Sequence, residues 1–419
     1  MGHFQRYAMA FAGPAATAGA QFLLSLVLLR VMAPDMFGHF SFLLILSQFS
    51  LGIWSALFSA ALPVINADRD VQRGSHRMAT LFAANLLSTV PAIPLFMSIA
   101  LAFHMPLTIG LPFAFFVALS LLRLFARTHA YAIGRPARVM VSDVSYSLIV
   151  LAGLPVLLLA DVPPGPSAAL LLTAAALVAL VLFGPAYLRL QFAPFPKGLL
   201  ARYAAIWKEH SGWSLLGVLT TEATMNAHAY VVTLFAGPSA FAVLAASSLL
   251  TRPVTVVMSA LGEYERAHMA EQIAQADAPA LGRSINHFRL AMAGIWLLTG
   301  VVLAVIMIWV PHLVFPPRYA LGTLAIGSTL WMAVALVRAM RAPESAMMQG
   351  AGEFRPLANA SVYSAIFSVV GVAGLLALTT PVWSIGGVLI GELIFGICLW
   401  PRAWAWRRAM AARAGEARG

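Results

Sequence analysis

The chain has 419 residues, of which 61% are hydrophobic and only 10% charged, with a mean hydropathy of +0.86. A soluble domain needs about a quarter of its residues charged to cover its surface, so an ordinary water-soluble protein is excluded and an integral membrane protein is implied. The 26 Lys and Arg outnumber the 15 Asp and Glu, giving a net charge of +11, and that excess has to be read by location before it says anything about partners.

Taking about 20 apolar residues per membrane crossing, the sequence predicts an all-α, polytopic protein with twelve transmembrane helices. In chain order they fall at roughly 8–30, 38–62, 78–103, 107–125, 139–160, 168–188, 212–235, 238–261, 289–311, 320–340, 357–379 and 383–404. The first two meet at a tight turn, where Pro34-Asp35 breaks the hydrogen-bond ladder after Arg30 and Phe37-Gly38 opens the second run. The amino terminus runs into the first apolar segment without a small-residue cleavage site and is expected to be retained.

Basic residues test this segmentation, because they accumulate in cytoplasmic connections. They alternate as required: 24 of the 26 lie on one side, from Arg6 through Arg69, Arg73 and Arg77, to Arg402, Arg407, Arg408, Arg413 and Arg418, and only Arg30 and Arg318 lie on the other. Both termini are therefore expected in the cytoplasm. The positive charge is then a topology signal plus attraction to the acidic headgroups of membrane lipids, and a nucleic-acid partner is not expected. Of the inner connections the longest, 262–289, predicts an amphipathic surface helix ended by Pro279.

Two internal correspondences point to duplication. At an offset of 204, Pro34 and Phe37 fall on Pro238 and Phe241; at 218, Arg123 and Gly134 fall on Arg341 and Gly352. They predict two six-helix bundles, 1–195 and 196–419 with a short basic tail, joined by the linker QFAPFPKG. An even number of spans per half gives the halves parallel topology, able to rock about a central cavity.

Charged and polar side chains inside the spans are the candidates for function, because each costs about 3 kcal/mol to place at mid-bilayer. Glu222 shares a helix face with Asn226 and Tyr230 and reads either as a proton or cation site, or sugar-binding group, or as a polar contact between helices; His228 lies on another face. Glu392 is flanked by Gly387 and Gly391, whose G-x-x-x-G spacing admits a second backbone, and either serves a cavity or a basic partner or only packs helices. Arg30 and Arg318 break the topology pattern and either snorkel or bind an anion at the outer mouth. Arg123, Arg252 and Arg338, at inner ends, either only mark the cytoplasmic side or bind the anion there. Together Arg30, Arg123, Arg252, Arg318, Arg338, His228 and Asn226 form the expected substrate-binding set, and Glu222 and Glu392 the expected ion-coupling pair. The lone Cys398 reads as a core residue. No phosphate-binding loop, H-E-x-x-H or G-x-S-x-G is present, and Asp68-Arg69-Asp70 sits among arginines in a loop of about fifteen residues, unlike a glycosyltransferase D-x-D. No catalytic residue, metal or cofactor is expected, and the chain reads as a transporter, not an enzyme.

The segment LLRVMAPDMFGHFSFLLILSQF at 28–49, with Leu28, Arg30, Pro34, Phe37 and Gly38 in register, resembles the opening of the Wzx-type polysaccharide transporters, the oligosaccharide flippases of the multidrug/oligosaccharidyl-lipid/polysaccharide exporter superfamily. FPPRYA at 315–320 and the Gly134 and Gly352 turns are similar to further family segments; His228-Ala229 stands where many relatives carry Asp-Arg. The resemblance implies two six-helix bundles around a central cavity, and alternating-access flipping of undecaprenyl-pyrophosphate-linked oligosaccharide across the bacterial inner membrane for surface polysaccharide biosynthesis. A polysaccharide polymerase and glycosyltransferases are then the implied partners. The alternatives are a multidrug or cation antiporter of the same superfamily, which the arginine balance disfavours, and a membrane-embedded glycosyltransferase, which the short outer loops disfavour.

Overall fold

The computed structural model describes residues 3–59, 61–62, 65 and 71–416, so the Asp68-Arg69-Asp70 motif, Arg69 and Arg418 lie outside the described residues. Among those residues the structure is entirely helical, and it divides into two compact units, residues 1–219 and 220–419. The chain is a multi-pass membrane protein: ten helices are long and apolar enough to cross a bilayer, and a bent pair, Pro238–Leu249 with Arg252–Met258 at 59°, makes an eleventh if counted as one span.

The first unit runs α1 (His3–Val31), α2 (Pro34–Trp54, continued by a π-turn to Ser59), α3 (Val71–Thr89), α4 (Ala92–Ala102), α5 (Leu107–Ala132), α6 (Pro136–Leu159) and α7 (Pro164–Val181), then two short helices, α8 (Pro185–Gln191) and α9 (Leu199–Ile206). Proline supplies the start of α2, α6, α7 and α8, where the first-turn N–H has no intrahelical acceptor and its loss is free. Pro34 thus begins the second helix of the predicted hairpin, and Pro91 divides the third expected span into α3 and α4. Helix α1 packs on α6 and α5 on α7, over a core of Phe58, Phe82, Phe125, Phe183 and Tyr187.

The second unit follows α10 (Gly212–Phe235), which begins in the first, and contains α11 (Pro238–Leu249), α12 (Arg252–Ala274), α13 (Ala278–Trp309), α14 (Pro311–Val314), α15 (Leu321–Gly350), α16 (Phe354–Leu378) and α17 (Ile385–Glu416). Its core gathers Phe288, Met269, Met292 and Met347. Leu297, Leu298, Val301, Ile308 and Trp309 of α13 stay exposed, the outward apolar face that lipid solvates. The connection expected as a surface helix is instead the continuation of α12 into α13. Pro279 does not end a helix: it stands in the first turn of α13, whose N-terminus Asp277 caps by accepting from the Ala280 N–H at 2.9 Å. The sequence signal failed because proline both ends and begins helices, and here the capping aspartate two residues earlier decides which.

The seventh expected span, α10, is a continuous 24-residue helix. At 1.5 Å per residue it is about 36 Å long, enough to cross, yet it is not among the ten apolar helices, because Thr220, Thr221, Glu222, Asn226 and His228 dilute its hydropathy.

The two glycines that fall together at an offset of 218 end their helices alike. Gly134 closes α5 at φ +69° and Gly352 closes α15 at φ +75°. Each end carries the same pair of bonds, Gly134 N–H to Tyr131 O and Arg135 N–H to Ala130 O in one, Gly352 N–H to Gln349 O and Glu353 N–H to Met348 O in the other. An added Cβ would meet no atom within 4 Å at either glycine, so Gly134→Ala or Gly352→Ala is expected to cost only the backbone strain of about 1–2 kcal/mol. Gly387 behaves oppositely. Its Cβ would lie 2.1 Å from the Val372 nitrogen, where α16 and α17 touch backbone to backbone as the G-x-x-x-G spacing predicts. Gly387→Ala should therefore lower the detergent melting temperature by clearly more than either cap variant.

Candidate functional site

Each unit buries one carboxylate between two arginines. In the first, Asp143 of α6 is fully buried; Arg123 Nη2 donates to its Oδ1 at 2.6 Å, and Arg127 Nη2 lies 3.0 Å from Oδ2. Arg123 also donates from Nε to Ser142 Oγ at 3.2 Å and lays its guanidinium 4.4 Å from the centre of the Tyr146 ring. Gly13 of α1 closes the site, since a Cβ there would sit 2.7 Å from Asp143 Oδ2.

In the second unit, Glu392 of α17 is fully buried; Arg338 Nε donates to Oε1 at 2.6 Å and Arg341 Nε to Oε2 at 2.9 Å, with Arg341 held 4.0 Å from the Phe395 ring centre. The construction is the same. An aromatic follows each carboxylate by three residues, so both share a helix face, and the two arginines stand one turn apart on the facing helix. One arginine of each pair is nearly buried, with 8% of the side chain exposed, and the second reaches outward, 24% exposed for Arg127 and 19% for Arg341. The partner helix differs: α5 pairs with α6 in the first unit, α15 with α17 in the second.

These clamps account for three predicted site residues. Arg123 and Arg338, expected at inner cavity mouths, and Glu392, expected to couple an ion, are engaged with their own unit. Because both Glu392 oxygens accept from guanidinium groups, an ion or substrate reaches it only by displacing an arginine. Asp143, Arg127 and Arg341 went unnoticed as site residues in the sequence. The signal for Asp143 was present, an isolated acid inside the expected span 139–160.

A second arrangement lies on α10. The Glu222 carboxylate is half-buried; it accepts from Asn226 Nδ2 at 3.0 Å and from the Tyr230 hydroxyl in a short hydrogen bond. The face expected from the i, i+4, i+8 spacing therefore exists. Among the described residues no cation forms a salt bridge with Glu222, so its partners are neutral donors. His228 is 4% exposed on the opposite face, its ring 4.9 Å from that of Trp331 in an edge-on contact. It belongs to the packing of the second unit.

Arg30 is exposed in the last turn of α1; Arg318 is exposed before α15, 5.8 Å from the Tyr319 ring centre; Arg252 is half-buried at the first residue of α12. Among the described residues no cluster of three or more His, Cys, Asp or Glu is placed to hold a metal ion.

No family model matches the sequence, and no curated protein sequence is similar to it. Solved structures are similar to it over almost its whole length. An inward-facing multidrug resistance MATE family transporter of the MOP superfamily, 13% identical, superposes with a TM-score of 0.72 over 96% of this chain and 99% of the other. An outward-facing transporter described in the same words gives 0.61 at 16% identity, over 96% and 95%. A mutant of a Vibrio cholerae MATE transporter gives 0.64 at 14%, over 97% and 96%. The chain has the fold of the MATE transporters.

Proposed function

We propose that the protein is a secondary transporter of the MOP superfamily that works by alternating access and exports cationic or amphipathic small molecules against an ion gradient. Its moving halves are the bundles expected over 1–195 and 196–419, in the bacterial inner membrane with both termini cytoplasmic. The observation that carries this reading is Glu222, a half-buried carboxylate in a polar stripe of α10 with neutral donors only. A carboxylate so placed has its charge available to a proton, a sodium ion or a cationic substrate. The fold likeness to multidrug transporters supports the same class. The arginine excess weighs less against cationic cargo because Arg123, Arg127, Arg338 and Arg341 are each held by a carboxylate, Asp143 or Glu392, inside their own unit.

The second reading, flipping of undecaprenyl-pyrophosphate-linked oligosaccharide in concert with a polymerase and glycosyltransferases, is favoured by Arg30 and Arg318. Both are exposed, and guanidinium groups suit pyrophosphate oxygens. Reconstitution separates the two. Proteoliposomes with an imposed proton or sodium gradient are expected to move a cationic dye such as ethidium. Failure with cationic dyes, together with leaflet exchange of a fluorescent polyprenyl-pyrophosphate oligosaccharide that Arg30→Ala abolishes, would replace the first reading by the second.

A further inference from the structure

The last helix outruns the membrane. α17 has 32 residues, about 48 Å at 1.5 Å per residue, against about 30 Å of hydrocarbon. Counting about 20 spanning residues from Ile385 puts the far boundary at Trp404. Trp404 is 59% exposed, and tryptophan favours that interface, its ring in the acyl region and its N–H among headgroups. The next turn brings Arg407 and Arg408 to headgroup level.

At that level lies a cavity of about 390 Å³, lined by Trp404, Arg407, Arg408 and Met410 of α17 and by Leu281 and the first turn of α13. Its volume falls within the range of about 300–1,000 Å³ typical of ligand sites. Its lining combines two guanidinium groups, Arg407 and Arg408, with the apolar Trp404, Leu281 and Met410. Glu344 forms its salt bridge with Arg289, and Arg407 makes no hydrogen bond to its second oxygen, Oε2. Arg283, exposed on α13, adds to the positive field.

We propose that this cavity binds the phosphate headgroup of an acidic phospholipid, the two arginines taking the phosphate oxygens and Trp404, Leu281 and Met410 the glycerol and upper acyl carbons. Arginine pairs phosphate bidentately, and basic pockets between spanning helices are suited to such headgroups. The site is independent of what the protein transports.

The test is native mass spectrometry of the purified full chain in detergent, with cardiolipin, phosphatidylglycerol or phosphatidylcholine added. Bound acidic lipid is expected to fall at least tenfold in the Arg407→Gln, Arg408→Gln double variant and about threefold in Trp404→Ala. It should be unchanged in Arg402→Gln, an exposed arginine of the same helix outside the lining. Should the double variant melt early, Arg408→Gln alone gives the reading, since that side chain is exposed. Equal retention of phosphatidylcholine, or an equal loss in Arg402→Gln, would overturn the proposal. So would displacement of the lipid by inorganic phosphate or glycerol 3-phosphate at matching concentration, which would assign the pocket to a soluble phosphate compound.

Discussion

Asp143→Ala is expected to destabilise the first unit by about 3–5 kcal/mol, the usual cost of leaving a buried charge without its counterion. The substitution strands Arg123, only 8% exposed, together with Arg127, two positive charges with no acid between them. Glu392→Ala should do the same in the second unit through Arg338 and Arg341. Equilibrium unfolding in mixed detergent micelles measures the change. The informative control removes the whole clamp: Arg123→Met, Arg127→Leu and Asp143→Leu together should be markedly more stable than Asp143→Ala, because apolar groups of similar volume replace a buried ion network at little net cost. If the triple variant folds and still transports, the clamp is a structural tie. If it folds and transport is lost, the arginines act on cargo, and the flippase reading gains.

Glu222→Gln should leave the fold nearly untouched and reduce gradient-driven dye export by at least tenfold. The amide keeps the shape: its oxygen can accept from Asn226 while its nitrogen donates to the Tyr230 hydroxyl, so the charge is removed and one hydrogen bond is reversed. Tyr230→Phe removes one donor and leaves the charge, a change worth about 0.5–1.5 kcal/mol and hence about two- to tenfold in whichever step needs the ionised form. A Glu222→Gln protein with wild-type export would end the assignment of coupling to α10. A protein that loses export equally for Asn226→Ala, Tyr230→Phe and Glu222→Gln, and melts early in all three, would reduce the stripe to a packing element.

The helical plan was legible because hydropathy and proline placement are local properties: nearly every predicted span has a helix over it, and the glycines at 134 and 352 announced equivalent helix ends. Composition hid the status of α10, whose polar residues lower the very signal by which a span is recognised. The clamps were only half legible. Arg123, Arg338 and Glu392 stood out as charges in apolar surroundings, but spacing along one helix does not say which neighbouring helix faces it. Arg123 finds its acid 20 residues on and Arg338 finds its own 54 residues on, across an intervening helix. Positive-inside counting also assigned these arginines to the membrane surface, where a topology role already explained them. Pro279 failed differently, because its meaning depends on a cap that a hydrophobic pattern does not register.

The unequal reach of the two clamps bears on how the chain is made. At about 5–20 residues per second, the ribosome delivers Asp143 about 1–4 s after Arg123, so α5 and α6 can enter the bilayer as a hairpin whose two arginines already share an acid. Arg338 waits about 3–11 s for Glu392, with α16 synthesised in between. During that interval the second unit holds two uncompensated guanidinium groups at the membrane, and a nascent chain arrested before residue 392 is the form that quality control would meet.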